Sequence, residues 1–182
     1  MATTYELLGT ATADGSSPTT LSIGSIPQTH DDLEIIGLLT AINSGYQAEC
    51  KWRINGETGS YYNYSWLRQV NNSVQTDKNT SGDTGIGIYN GLGPNHGSYM
   101  RLQACTKLYI AGYTESSGGS PSYGFTSGIA TNRSITDSST NEMGIYSFSC
   151  RDASLDPVTE VSVSTAAMAE NSVIYIYGIN RS

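Results

Sequence analysis

Charge, and positive charge in particular, is scarce in this sequence. Charged residues make up 14% of the 182 residues, and nine Lys and Arg stand against sixteen Asp and Glu, for a formal net charge of −7. Proteins that bind nucleic acid use cationic side chains to displace the counterions of the phosphates, and the sequence has no basic cluster. This composition argues against DNA or RNA as a partner.

Long apolar runs and paired cysteines are also missing. No window approaches the roughly 18 consecutive apolar residues of a membrane span, and the amino-terminal stretch MATTYELLGTATADG lacks the charge and apolar core of a secretory signal. We therefore expect no membrane span and no secretory signal. The three cysteines, Cys50, Cys105 and Cys150, are widely spaced and form no CxxC pair. This pattern predicts a reduced assembly environment in which no disulfide is required.

Side chains that carry out chemistry are few. Histidine occurs only at His30 and His96, and both positions lie beside turn residues, so we expect solvated loop histidines. No GxSxG elbow is present, and carboxylates such as that of Asp32 lie where turns favour aspartate. Residues 77–83 imitate half of a calcium loop, but Ile88 occupies the position of the required Glu. We predict a protein that is not an enzyme and needs no metal or cofactor.

The sequence is rich in Ser, Thr, Asn and Gly, and its apolar residues follow the period of two that is typical of strands. In Gln47–Ile54, four apolar residues alternate with four polar ones, and Ser98–Tyr113 alternates over a longer stretch. Asn55 and Gly56 follow the first of these segments. This dipeptide is the strongest short signal for a β-hairpin, because both residues tolerate positive φ.

Ten segments carry this strand pattern, and turn residues separate them. They are Tyr5–Thr12, Thr19–Ile26, Asp32–Ile42, Gln47–Ile54, Thr84–Tyr89, Ser98–Tyr113, Ser122–Ile129, Met143–Cys150, Pro157–Ser164 and Ser172–Ile179. Only Tyr64–Val74 and Thr165–Asn171 could hold a helical turn. Ten short strands with little helix predict an all-β fold, an antiparallel β-sandwich of jelly-roll type, in a single domain over residues 1–182.

Two of the predicted strands are apolar on both faces. In Asp32–Ile42 the second face carries Ile36 and Leu38, and in Ser172–Ile179 it carries Tyr175 and Tyr177. An antiparallel strand that is exposed on one side is expected to show a polar face there. These four residues are therefore candidates for an interface with another subunit. The alternative is a covering loop of the same chain, or an ordinary surface that tolerates apolar residues.

A second candidate site lies in the stretch SYYNYSW, residues 60–66, which holds Tyr61, Tyr62, Tyr64 and Trp66. Aromatic rings stack on sugars, and they also cover sheet surfaces and protein interfaces. The cluster is thus a candidate glycan platform, with a protein interface or plain surface cover as the alternative.

Both ends of the chain resemble small bacteriophage virion proteins. The stretch YELLGTATADGSSPTTLSIGSIPQTHDDLEI, residues 5–35, is similar to their amino-terminal pattern of a Tyr-led strand, a Gly/Ser turn, a strand ending in SIP and an apolar strand opening with Asp-Leu. The carboxy-terminal SVIYIYGINRS resembles their closing strand. The middle of the chain agrees in composition alone.

The resemblance implies a non-enzymatic structural protein with a jelly-roll-like fold. Relatives of this kind are expected as capsid decoration (cement) proteins, head fibres or tail appendages, commonly as homotrimers bound to the major capsid protein. The protein would be assembled in the host cytoplasm and located in the virion. The sequence has no coiled-coil or repeat segment to serve as a shaft, which favours decoration. The alternative is a receptor- or glycan-binding module of a head or tail fibre, and a polysaccharide depolymerase comes third.

Overall fold

The structure is a computed structural model that describes residues 4–16, 18–40, 48–70, 73–90, 104–114, 124–135, 141–152, 157–165 and 167–181. These residues form twelve β-strands. In chain order they are β1 Thr4–Thr12, β2 Thr20–Ile23, β3 Asp32–Leu39, β4 Ala48–Ile54, β5 Tyr62–Val70, β6 Ser73–Asp83, β7 Ile86–Asn90, β8 Ala104–Ala111, β9 Gly124–Ile135, β10 Asn141–Asp152, β11 Val161–Ser164 and β12 Val173–Asn180. Within the ranges above, no helix is long and apolar enough to cross a membrane.

The strands form two antiparallel sheets. The larger sheet has eight strands in the order β1-β12-β3-β8-β9-β10-β5-β6, and the smaller has four in the order β2-β11-β4-β7. Every pairing between neighbouring strands is antiparallel. The all-β, antiparallel part of the predicted fold class is confirmed.

Alternation along each strand decides which side chains enter the core. In β4, Cys50, Trp52 and Ile54 are buried, whereas Lys51 and Arg53 on the opposite face are half-buried. The same pattern holds in β8, as the period of two in its sequence predicts. The sequence periodicity therefore gives the correct inward face of both strands.

One hydrophobic core is built from both sheets, and the close approach of β3 and β4 shows how they meet. The fully buried ring of Trp52 from the smaller sheet lies against Gly37 of the larger. A Cβ atom added at Gly37 would stand 2.8 Å from Cζ2 of Trp52. The absence of a side chain at position 37 thus lets the largest aromatic side chain of the core fit between the sheets.

The two segments predicted as candidates for helical turns are not helical in the described residues. Tyr64–Val74 contributes to β5 and β6, because buried Tyr62 and Tyr64 alternate with exposed Asn63 and Ser65, a period of two. In Thr165–Asn171 the described residues form a turn rather than a helix.

The prediction of a hairpin at Asn55 and Gly56 is wrong in one respect. Both residues have positive φ, 52° and 68°, and the N–H of Glu57 donates to the carbonyl of Ile54 at 3.0 Å, so the tight turn forms. The strands on either side of it do not pair, because β4 belongs to the smaller sheet and β5 to the larger. The turn therefore carries the chain from one sheet to the other.

Candidate functional site

The larger sheet has an outer face, which we define as the side that points away from the core. Along β10, Tyr146, Phe148 and Cys150 are buried in the core, so Met143 and Ile145 point to the outer side. The strand registers extend this face across the sheet from β1 to β6.

All the exposed large hydrophobic side chains of the described residues lie on this outer face. Their exposed fractions run from 36% to 69%. They are Tyr5, Leu7, Leu67, Val74, Tyr109, Ile129, Met143 and Ile145. Isolated apolar residues are ordinary on protein surfaces, but their concentration on a single face is typical of a binding surface.

Five of these residues form what we call the apolar patch: Leu67, Val74, Ile129, Met143 and Ile145. They come from β5, β6, β9 and β10, which are consecutive in the sheet. Leu67 is the direct cross-strand partner of Ile145, and Gln69 joins Met143 on one side to Val74 on the other. The registers therefore link four of the five residues, whereas Ile129 lies opposite Ser147, the next outer residue of β10 after Ile145.

Charged residues on the outer face near the patch are few. Lys78 of β6 is the cross-strand partner of Ser65, and Arg133 of β9 is the cross-strand partner of Met143. Ser65 and Ser147 share a hydrogen bond of 2.8 Å. Apolar and uncharged polar groups thus dominate this half of the face.

A shallow groove of about 650 Å³ runs beside the patch. Side chains of β5, β6 and β10 line it. They are Ser65, Trp66, Leu67, Thr76, Asp77, Lys78, Ile145 and Ser147. A smaller groove of about 300 Å³ adjoins it and shares Ser65, Lys78 and Ser147 with it. Shallow grooves thus border the apolar patch.

The four residues predicted as an interface lie together on the other half of the outer face. Ile36 pairs with Tyr175 across the β3–β12 register, and the ring centroids of Tyr175 and Tyr177 are 6.4 Å apart. Ile36, Leu38 and both tyrosines are half-buried. The structure therefore brings the predicted group together and leaves each side chain partly accessible; whether another subunit or a capsid covers it stays a prediction.

The predicted platform of four aromatic rings is not formed, and the prediction is corrected here. Tyr62 is fully buried and Tyr64 is 7% exposed, so both rings belong to the core. The N–H of Ile54 donates to the hydroxyl of Tyr62 at 2.9 Å, and burial raises the pKa of Tyr62 above its usual range. Tyr61 and Trp66 are half-buried, and the guanidinium of Arg68 lies 4.9 Å from the centroid of the Trp66 ring.

The carboxylate of Asp32 is the most strongly bound polar group at the start of β3. It is fully buried and accepts hydrogen bonds from the Tyr109 hydroxyl, from the N–H of Gly112 at 2.9 Å, and from Nε of Arg181 at 2.7 Å. A second guanidinium nitrogen of Arg181 bonds the other carboxylate oxygen. The bonds from Arg181, with those from Tyr109 and Gly112, lower the pKa of Asp32 to about 2.

The expectation that His30 is a solvated loop histidine is wrong. Asp32 begins β3, as the predicted strand Asp32–Ile42 requires, but its carboxylate is buried rather than exposed in a turn, for the reason just given. His30 is 7% exposed; its Nε2 lies 3.1 Å from a carboxylate oxygen of Glu6, and its Nδ1 lies 3.0 Å from the hydroxyl of Thr29. His96 lies outside the described residues. These groups fasten neighbouring segments together.

The structure also places the other candidates for chemistry that the sequence offers. Residues 77–83, which imitate half of a calcium loop, belong to the strand β6. No cluster of three or more His, Cys, Asp or Glu side chains suited to a metal ion occurs among the residues that the structure describes. Cys50 and Cys150 are buried, and Cys105 is exposed.

The apolar patch is the feature that the sequence reasoning missed. Met143–Cys150 was predicted as a strand, but the apolar residues Met143 and Ile145 at its odd positions were not assigned to a second apolar face. The same two-sided test that selected Ile36 and Tyr175 would have selected these two residues.

Comparison with known proteins gives no match, whether to the models of protein families, to curated proteins or to solved structures.

Proposed function

We propose that this chain is a non-enzymatic structural protein of a bacteriophage virion, a capsid decoration or cement protein that binds the outer surface of the shell and stabilises it. The observation that carries the proposal is the outer face of the larger sheet. In the described residues, every exposed large hydrophobic side chain lies on that face. A protein that works by adhesion requires such a surface, whereas an enzyme requires a site of converging polar groups.

The order of the strands supports a jelly roll as the finer description of the fold. The strands β1, β12, β3 and β8 are neighbours in the larger sheet, and β2, β11, β4 and β7 form the smaller one. When these eight strands are renumbered 1 to 8 along the chain, the order in the larger sheet is 1-8-3-6 and the order in the smaller sheet is 2-7-4-5. This is the arrangement of two interlocked Greek keys. The pairs β5–β6 and β9–β10 are then insertions that widen the first sheet. Capsid proteins commonly use jelly rolls, and lectins use them too.

We propose that the protein adheres to its partners by burying apolar surface area against them. Burying apolar surface contributes about 25 cal/mol per Å² before the costs of association are subtracted. Each copy contributes little, but a shell presents many equivalent positions, and a copy that touches several neighbours links them. The partners would be the major capsid protein and other copies of this chain, with a homotrimer as the form that the resemblance implies. Ile36, Leu38, Tyr175 and Tyr177 would take part in these contacts.

Binding to shells tests the proposal. Shells from a mutant of the encoding phage that lacks this gene are mixed with the purified protein and sedimented. We expect the protein to pellet with the shells up to a fixed number of copies per shell. If the protein stays in the supernatant at every concentration, the proposed function is wrong.

A second candidate function is a receptor- or glycan-binding module of a head or tail fibre. The groove of about 650 Å³ favours it, because Asp77 and Lys78 offer polar groups next to the half-buried Trp66. A glycan array separates the two functions. Under this second function a Trp66→Ala variant loses binding to a defined sugar, and under the first function neither the variant nor the parent binds.

A further inference from the structure

We propose that Lys51 and Asn79 form an amide bond with each other inside the folded chain, and that Asp83 carries the protons of this reaction. The bond would join β4 of the smaller sheet to β6 of the larger one. It is a covalent modification that goes beyond the proposed function. The contacts of the Asp83 carboxylate, the local course of β6 and the chemistry of the three side chains support it.

The carboxylate of Asp83 contacts the amine and the amide at the same time. Nζ of Lys51 donates to Oδ1 of Asp83 at 3.1 Å, and Nδ2 of Asn79 donates to Oδ2 at 3.2 Å. The hydroxyl of Tyr64 donates to Oδ2 at 3.1 Å, and the N–H of Thr84 donates to Oδ1 at 2.6 Å. A single carboxylate therefore holds a nucleophile on one oxygen and an amide on the other.

The strand β6 leaves regular pairing at the point where it brings Asn79 and Asp83 together. On β5 their cross-strand partners are Tyr64 and Tyr62, which are two residues apart. On β6 Asn79 and Asp83 are four residues apart, so this strand holds two extra residues between them. Gly82 lies in this bulge with a φ of 77°, a value that favours glycine. Bulges of this kind redirect side chains and are frequent beside sites of chemistry.

The three side chains lie at the rim of the core, where they are partly sheltered from water. The side chains of Lys51 and Asp83 are 29% and 19% exposed, and Asn79 is half-buried. The ring of Tyr64, beside them, belongs to the core. Shelter from water disfavours both charged groups of an ion pair, which eases the transfer of a proton from the ammonium to the carboxylate. Groups held in contact also react as though at very high concentration.

The charge state of Asp83 suits the first step. Burial raises the pKa of Asp83, but the hydrogen bonds from the N–H of Thr84 and from Lys51 outweigh burial and hold this pKa below its ordinary value. Asp83 is therefore a carboxylate at neutral pH and can accept a proton from the ammonium group of Lys51.

The reaction exchanges one amide for another and releases ammonium. Asp83 accepts a proton from Lys51, and rotation about the bonds of the flexible lysine stem brings the free amine to Cγ of Asn79. As the new C–N bond forms, the carboxyl group of Asp83 gives its proton to Nδ2, and the bond from Cγ to Nδ2 breaks. The attacking nitrogen loses its remaining extra proton to the departing ammonia, which leaves as ammonium. Asp83 is then a carboxylate again.

Intact mass spectrometry of the purified full-length protein under denaturing conditions tests the proposal. After overnight incubation at neutral pH, we expect the parent to be lighter than its sequence mass by one molecule of ammonia. Proteolytic digestion then yields a branched peptide that joins the segments around Lys51 and Asn79. This peptide distinguishes the amide bond from cyclisation of Asn55 onto the backbone before Gly56, which also releases ammonia.

Two variants remove one reacting group each. Lys51→Arg removes the amine and keeps a cation beside Asp83, and Asn79→Ser removes the amide, so neither variant is expected to form the branched peptide. The matched control is Lys78→Arg, since Lys78 precedes Asn79 in β6 and is exposed on the outer face. We expect this control to lose ammonia and form the branch as the parent does. Near-ultraviolet circular dichroism checks that each variant is folded.

A parent of full sequence mass, or one without the branched peptide, overturns the proposal. So does a branch that disappears in Lys78→Arg, because the reacting amine would then be a different lysine. The loss of one water molecule with a branch between Lys51 and Asp83 also overturns it, since that is a different bond. Binding to shells tests the proposed function separately, so a protein of full mass that pellets with shells refutes the amide bond alone.

Discussion

The buried carboxylate of Asp32 leads to a prediction about how the larger sheet is held together at the end of the chain. Arg181 follows β12, and its guanidinium reaches back to the first residue of β3 through two hydrogen bonds. The variant Asp32→Asn removes the negative charge and keeps the volume. In the parent, the Asp32 carboxylate accepts four hydrogen bonds: one from Tyr109, one from Gly112 and two from Arg181. The neutral amide of the variant takes the place of this carboxylate.

The magnitude follows from the pKa of Asp32, which these bonds lower from 3.8 to about 2. A difference of this size between the folded and unfolded chains corresponds to about 2 kcal/mol of stability. Because the folded-state pKa is the lower one, the stabilisation is complete above the unfolded value of about 4 and disappears as the pH falls through about 2. The Arg181 side chain is 59% exposed, so solvent screening makes this value an upper limit.

Urea unfolding at a series of pH values checks the prediction. At neutral pH we expect Asp32→Asn to unfold more easily than the parent by about 1–2 kcal/mol, and we expect the gap to close as the pH falls from about 5 towards 2. Asp31→Asn is the control, because its carboxylate is exposed and accepts from the backbone N–H of Arg181. A gap that stays the same at every pH, or an Asp31→Asn variant that loses as much stability, would refute the assignment.

Three further predictions concern the core, the turn between the sheets and the thiols. A Gly37→Ala variant forces a methyl group against Trp52 and loses about 1–3 kcal/mol in urea unfolding, whereas Gly24→Ala, which meets nothing within 4 Å, does not. An Asn55→Ala variant loses about 2 kcal/mol, because its side chain accepts from two backbone N–H groups of residues 159 and 160 and its φ is positive; an unchanged urea midpoint would contradict this. In the native protein an aromatic disulfide reagent modifies Cys105 quickly and the two buried thiols only after unfolding; three equally fast thiols would show that the core is open.

The strands were predictable because alternation along one strand is a local property of the sequence. In β4 the alternation correctly predicted that Cys50 and Trp52 point into the core. In β8 it correctly predicted that Leu108 and Lys107 lie on opposite faces. The prediction of a hairpin at Asn55 was wrong because strand pairing depends on residues far along the chain. The turn at Asn55 forms as predicted, but the choice of sheet for the strand after it depends on a pairing with β10, which lies about eighty residues further on.

The candidate sites were predictable in part, for the same reason. Ile36 and Tyr175 were selected as residues of a second apolar face, and they are cross-strand partners on the outer face. The burial of Tyr62 was not foreseen, because a cluster of aromatic residues looks the same in sequence whether it covers a surface or enters a core. The apolar patch joins residues of four strands, and the registers that link them exist only in the sheet.

Electron cryomicroscopy would test the proposed role on the capsid, with virions of a phage that carries this gene and of the same phage with the gene deleted. We expect density on the outside of the shell in the parent, repeated at equivalent positions of the lattice, and no such density in the deletion mutant. A deletion mutant whose shell is indistinguishable from that of the parent would contradict it.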